Sequence, residues 1–211
     1  MNGKTVMACI EAAHATLKEH TDEIAALDQQ IGDGDHIFNL LRGVDALFAM
    51  RAGIEAEAFA PALEQAASKL LSTVGGSSGP LFFSLLHGMA KAAQNADTMS
   101  VVDAARIFAA GVDAVAQRGK AGIGSKTMMD VLIPVASRFM ELAESSAAPQ
   151  AVLDALPLTA EEGMLATRDM LATKGRASFL GARARGHIDP GARSSQLMIG
   201  AVCARLAQDR E

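Results

Sequence analysis

The sequence has no tryptophan and no tyrosine, and eight phenylalanines are its only aromatic residues. No platform for stacking nucleobases can be built from that stock. Strands favour aromatic and β-branched side chains, whereas this chain is rich in alanine and carries 11 methionines, so closely packed helices are the expectation. Positive charge is the minority, 19 basic against 24 acidic residues for a formal charge of −5, and a nucleic-acid backbone is not expected as a partner. Cysteine is scarce. Cys9 and Cys203 lie near opposite ends and form neither a CxxC nor a zinc-like cluster, which reads as reduced, buried thiols of a cytoplasmic protein. No run approaches the ~20 apolar residues of a membrane span. Lys4, Glu11 and Lys18 occupy the stretch where a signal peptide would need an apolar core.

What remains is 211 residues, 50% of them hydrophobic, enough to bury a sizeable core within one domain, residues 1–211. Helical spacing recurs along most of it. Met7, Ile10, Ala13 and Leu17 share one face, and Ile24 with Leu27 marks a short second helix. Phe59, Leu63, Ala66 and Leu70 form an amphipathic stripe. Leu81, Leu85, Met89 and Ala92 form another, behind a Ser78-Gly79-Pro80 start that puts proline in the first turn. Ser100 with Asp103 predicts a capped start for a helix burying Ile107, Gly111 and Val115. Met128, Leu132, Val135, Phe139 and Leu142 give the cleanest stripe, with Pro134 inside it to kink the helix or delay its start. A long helix is expected over 152–173, with an interruption at Pro157, and a last one from Pro190 to about Leu206. The sum is roughly eight helices, and no strand alternation is convincing. Four glycine-rich stretches, 28–36, 73–79, 119–127 and 174–191, each precede a helix start, and an up-and-down array allows all four to meet at one end.

The first stretch puts Asp28, Asp33 and Asp35 within eight residues, with Gly32 and Gly34 letting the backbone turn. Three converging carboxylates repel one another unless a cation neutralises them, and hard oxygen ligands select Mg²⁺ or Ca²⁺ over zinc. An EF-hand needs a further ligand where Ile37 stands, so Mg²⁺ is the better match. A plain turn with Asp35 capping the helix through Leu40 and Val44 is the competing reading. The second stretch, Thr73 to Pro80, opens directly into a helix and offers N–H groups and the positive end of a helix dipole to a phosphate. A helix C-cap followed by an ordinary loop would also fit it. The third is not a Walker A loop, because Ser125 separates Gly124 from Lys126 and no strand precedes it. Thr127 and Asp130 there read as a capping pair. The fourth is the most basic part of the chain, suited to pairing with phosphates or docking a partner, and Phe179, Leu180 and Ile188 argue against a merely solvated loop.

Taken together, Asp28…Gly32-Asp33-Gly34-Asp35-His36…Asn39, Gly75-Gly76-Ser77-Ser78-Gly79-Pro80-Leu81, Gly119-Lys120…Lys126-Thr127-Met128…Asp130 and Lys174-Gly175-Arg176-Ala177-Ser178…Gly181…Gly186-His187…Asp189-Pro190-Gly191 resemble the nucleotide-binding L subunit of dihydroxyacetone kinases, the DhaL family, over nearly the full length. The resemblance implies an all-α, antiparallel eight-helix barrel with a nucleotide, ADP or ATP, at one end. It implies that Asp28, Asp33 and Asp35 hold two Mg²⁺ ions that bind the nucleotide's phosphates. His36, Ile37, Phe38 and Asn39 would lie at phosphates and metals, Ser77 and Ser78 in the phosphate loop, and Gly119, Met128, Arg176, Asp189, Pro190 and Gly191 around the rest of the nucleotide. The partners implied are a K subunit that carries the ketose and, in the phosphotransferase-system branch, a phosphohistidine protein that recharges bound ADP; a homodimer is left open. No nucleophile triad is evident, and phosphoryl transfer requires none. Two positions depart from the family: Ile37 replaces a glycine, and Gly124-Ser125-Lys126 replaces Gly-Asp-Lys. They leave the acceptor open between dihydroxyacetone and a related ketose. The His36…Asn39 pattern resembles the branch with separate subunits, so recharging by a phosphohistidine protein is the expectation and free ATP the alternative. A regulatory nucleotide-binding module and the related fatty acid kinase architecture are the competing readings.

Overall fold

Residues close in sequence set most of the helix starts. In the computed structural model, which describes residues 1–94 and 99–208, α1 (Gly3–Glu19) opens on a capping box in which Asn2 accepts from the Thr5 N–H at 3.2 Å. After α2 (Thr21–Ile31), α3 (His36–Phe48) and α5 (Phe59–Thr73), α6 (Ser78–Ala93) carries Pro80 in its first turn, as its sequence predicts. The start of α7 (Val101–Gly119) is capped as expected: Ser100 Oγ accepts from the Asp103 N–H and the Asp103 carboxylate accepts from the Ser100 N–H, both at 3.1 Å. The short α4 (Arg51–Ala56) was not anticipated; Ile54 is the one residue it buries. With α8 (Met129–Glu144), α9 (Pro149–Ala166) and α10 (Pro190–Gln208), the described residues form an all-α fold with no strand among them. None of these helices is long and apolar enough to cross a membrane.

Pro134 does not delay the start of α8, which begins five residues before it at Met129, and Pro157 does not interrupt α9. A proline costs about 3 kcal/mol in a helix interior, and the mutual burial of α8 and α9 through Val131, Val135, Leu156 and Met164 offsets it. Pro134 deprives the Asp130 carbonyl of its helical N–H partner, and Gly163 of α9 comes against that carbonyl so closely that a Cβ would collide with it. The expected helix over 152–173 stops at Ala166 instead, followed by a 3-10 turn at Thr167–Asp169. The carbonyls of Thr167 and Arg168 that would continue it accept from the Lys126 ammonium at 2.5 and 3.3 Å.

From α5 onward each helix packs on the next, and α10 returns to α1, which also touches α3, α4 and α5. Met7, Leu17, Ile24, Ile37, Leu63, Val115 and Leu132 are among the core residues enclosed by this circuit. A small satellite, Ile31 with Ala177 and Ala184, fixes a second 3-10 segment (Arg176–Ala184) against the end of α2. That satellite is what brings the basic stretch to the acidic one.

Candidate functional site

Asp28 lies on the last turns of α2 and not in the loop where its sequence neighbours suggested, and it is buried. Its backbone carbonyl accepts from Gly32, and its Oδ2 accepts from the His36 N–H at 3.1 Å, so this carboxylate spans the turn between α2 and α3. A Cβ on Gly32 would run into the Asp28 carboxylate, which explains the glycine by close approach. Gly34 has φ +78°, a conformation L side chains rarely adopt. Asp33 and Asp35 are exposed on that turn. One oxygen from each of Asp28, Asp33 and Asp35 lies within 4.8 Å of the others. Asp35 occupies the N-cap position of α3 but makes no side-chain cap bond; its carboxylate is left for another partner, against the plain-turn reading. The donor set suits a hard divalent cation such as Mg²⁺.

The second glycine stretch folds onto the first. Asn39, buried in the first turn of α3, has its side-chain amide directly beneath Gly75, and Gly76 turns the chain with φ +66°. His36 is the hinge of the arrangement. The Ser78 hydroxyl lies 3.4 Å from its Nδ1 and the Ser194 hydroxyl of α10 lies 2.9 Å from its Nε2. Burial pushes its pKa below the usual 6.5 against the pull of Asp28 and Asp35, so the ring is neutral at neutral pH. Ser77 is exposed at the N-cap position of α6 and makes no cap bond, which leaves the first N–H groups of that helix without a side-chain partner.

The basic stretch reaches the cluster through Arg176, whose Nη2 pairs with Asp33 Oδ2 at 2.6 Å. Asp189, half-buried before α10, accepts from the Ala192 N–H at 2.8 Å and donates its own backbone N–H to Thr167 Oγ1 at 3.1 Å. Burial raises its carboxyl from 3.8 to about 7, with Lys126 opposing and with Asp130 and Asp28 reinforcing the rise. Pro190 is buried, and Gly191 faces Met128, whose N lies 3.7 Å from where a Cβ would stand. Gly119 ends α7 beside Leu81. Phe38 is exposed, whereas the Ile37 side chain is wholly buried in the core, so that residue can offer a ligand only its backbone. Its place in the first turn of a regular helix is why a β-branched residue is tolerated there. Ser125, the other departure, closes its own turn by accepting from the Gly122 N–H at 3.1 Å.

The sequence reading missed Lys126 and Ser194. Lys126 is fully buried at φ 58°, and beyond the two carbonyls of the α9 end it donates to the His187 carbonyl at 2.5 Å. Burial depresses its pKa while Asp189, Asp169 and Asp130 support its charge. Neighbouring Asp130 is buried too, accepting from the N–H groups of Gly124 and Thr127. Thr127 and Asp130 are therefore joined, with Asp130 as the acceptor, but the N-cap position of α8 falls at Met128, which makes no side-chain cap bond. Only the polarity of Ser194 and Ser195 within a buried stretch hinted at the His36 contact.

A family model described as the DAK2 domain matches residues 30–204. The chain is 37% identical over 179 residues to the "PEP-dependent dihydroxyacetone kinase, ADP-binding subunit DhaL" of Escherichia coli (strain K12), covering 85% of each chain. It is 38% identical over 187 residues to the "PTS-dependent dihydroxyacetone kinase, ADP-binding subunit DhaL" of Lactococcus lactis, covering 87% of each. Among solved structures, the dihydroxyacetone kinase from C. freundii in complex with AMP-PNP and Mg²⁺ superposes with a TM-score of 0.72 at 22% identity, over 94% of this chain and 33% of that one. That likeness is one of fold, and this chain spans about a third of that kinase's length.

Proposed function

The chain belongs to the DAK2 domain family, and from that membership we propose that residues 1–211 form one domain serving as the ADP-binding subunit of a dihydroxyacetone kinase. The single observation that carries the reading is the convergence of Asp28, Asp33 and Asp35 within 4.8 Å, beside the uncapped N-terminus of α6. The three carboxylates would hold Mg²⁺, two ions in the fullest form of the reading. When bound, the metal would offset the charge of the phosphates and of the phosphoryl group as it transfers.

This chain's own groups do the positioning. Asp28 receives the His36 N–H, and that fixes the turn on which Asp33 and Asp35 stand. Neutral His36 holds Ser78 and Ser194 together, which aligns the α6 N-terminus with the carboxylates, and the N–H groups there are donors for phosphate oxygens. Arg176, already at Asp33, is within reach of the same phosphates. Met128, Gly119 and Asp189-Pro190-Gly191 line the remainder of the nucleotide site in this reading. The ketose is held by a separate K-type subunit, and the relatives named PEP- and PTS-dependent support recharging of bound ADP by a phosphohistidine carrier.

Reconstitution tests this. Mixing the chain with a dihydroxyacetone-binding subunit, Mg²⁺, ADP and a phosphorylated carrier should yield dihydroxyacetone phosphate. Omitting the chain should abolish product. Product with ATP in place of the carrier would assign the donor to the other branch, and nucleotide binding without product under either donor would favour a regulatory module.

A further inference from the structure

We propose that Lys126 is a positioning residue, whose ammonium clasps both ends of the strap formed by residues 167–189 and so holds Arg176 at the carboxylate cluster. The proposal deepens the kinase-subunit reading and rests on it for the role of Arg176. Its geometry stands apart from that reading.

An ammonium has three N–H donors and no acceptor. Lys126 Nζ meets three backbone carbonyls, those of Thr167 at 2.5 Å and Arg168 at 3.3 Å where the strap begins, and that of His187 at 2.5 Å where it ends. A lysine that merely terminated α9 would need the first two alone. The third bond reaches 61 residues along the chain and makes the strap a closed loop. Other bonds follow the same seam: Gly186 N–H to the Arg168 carbonyl at 2.8 Å, Asp189 N–H to Thr167 Oγ1 at 3.1 Å, and Thr173 N–H to the Ser125 carbonyl at 3.2 Å. Lys126 accepts a left-handed backbone, φ 58°, to make these bonds. A non-glycine residue persists there when its surroundings over-determine it. Between the clasped ends, Ala177, Ala184 and Leu180 rest on Ile31, and Arg176 reaches across to the cluster as an ion pair with Asp33. The clasp is buried and the strap's outer face is exposed, so the ammonium sets where Arg176 stands without touching it.

Trypsin reads the strap directly, because Lys174, Arg176, Arg183 and Arg185 are all exposed on it. Lys126→Met should raise cleavage within 174–185 about tenfold, as local opening grows, while circular dichroism keeps its helical signal. Thr167→Val, which removes the hydroxyl that accepts from the Asp189 N–H and donates to the Met164 carbonyl, should raise it less; if Lys126→Met does not fold, Lys126→Arg, which keeps the charge but places its donors differently, takes its place. Mn²⁺ titration without nucleotide should be no weaker in Lys126→Met, since Asp28 stands on α2 and Asp33 and Asp35 on the turn that follows it, and release of Arg176 leaves Asp33 free for the cation. ADP affinity in the presence of Mg²⁺ should fall, and adding Arg176→Ala should then cost far less than it does in the parent chain, the signature of two residues acting through one contact. Unchanged strap cleavage in the folded variants, or an Arg176→Ala cost undiminished by Lys126→Met, would overturn the proposal. Should the parent chain bind no nucleotide at all, the kinase-subunit reading fails, and the trypsin arm still decides whether Lys126 clasps the strap.

Discussion

The glycine before Asp33 owes its identity to a carboxylate. At Gly32 a Cβ would collide with the Asp28 carboxylate, the movable end of a side chain, and would stand 3.0 Å from the Asp28 backbone carbonyl oxygen. Gly32→Ala should therefore push Asp28 out of the cluster, with some loss of stability as its bond from the His36 N–H is given up. Its Mg²⁺ affinity, read by competition with Mn²⁺, should drop about tenfold, the scale of a displaced ligand partner; parent-like affinity would deny Asp28 a ligand's role. Asp189 gives the pH prediction. Its folded carboxyl titrates near 7 against 3.8 ordinarily, so across that range the folded chain retains a proton that the unfolded chain has released. Folding stability contributed by this group therefore falls as pH rises through the window and levels off above it. Asp189→Asn keeps an acceptor for the Ala192 N–H and removes the titration. In metal-free buffer its melting temperature relative to the parent should climb from pH 3.8 to about 7 and then hold constant; a difference flat across that range would count against a buried, protonated Asp189.

Among the elements, α8 and α9 depart furthest from intrinsic propensity. Each carries an interior proline and continues past it, because the pair shares an apolar seam and because Gly163 lets α9 approach the carbonyl that Pro134 orphans. Gly163→Ala should accordingly destabilise the chain by about 1–3 kcal/mol through overpacking against rigid backbone, in spite of alanine's better helix propensity. Chemical denaturation measures it, and a neutral or stabilising result would refute the close contact. The capping box of α7 could be read from Ser100 and Asp103 alone, since its bonds join residues three apart. The end of α9 could not. It is decided by an ammonium 41 residues earlier in the chain, which a reading of 152–173 by itself does not contain.

At the scale of the whole molecule, ring closure of α10 on α1 and the folding of the four glycine-rich stretches onto one another produce one composite site from parts of the chain up to 158 residues apart. Ligands that bind only the folded state raise its melting temperature by mass action. Mg²⁺ and ADP together should do so by more than the sum of either alone, and Asp33→Ala should erase the joint effect; a full shift in that variant would remove the cluster from nucleotide binding. The sequence by itself determined the all-α class, most helix starts, and the three aspartates with their intervening glycines, because periodicity, caps and tight turns act between residues a few positions apart. Tertiary structure alone decided that Asp28 lies on a helix, that His36 meets Ser194, that Arg176 stands at Asp33, and that Lys126 is buried. Those contacts join side chains to distant backbone carbonyls, hydroxyls and carboxylates, groups so common along any chain that no residue pattern marks which of them will meet.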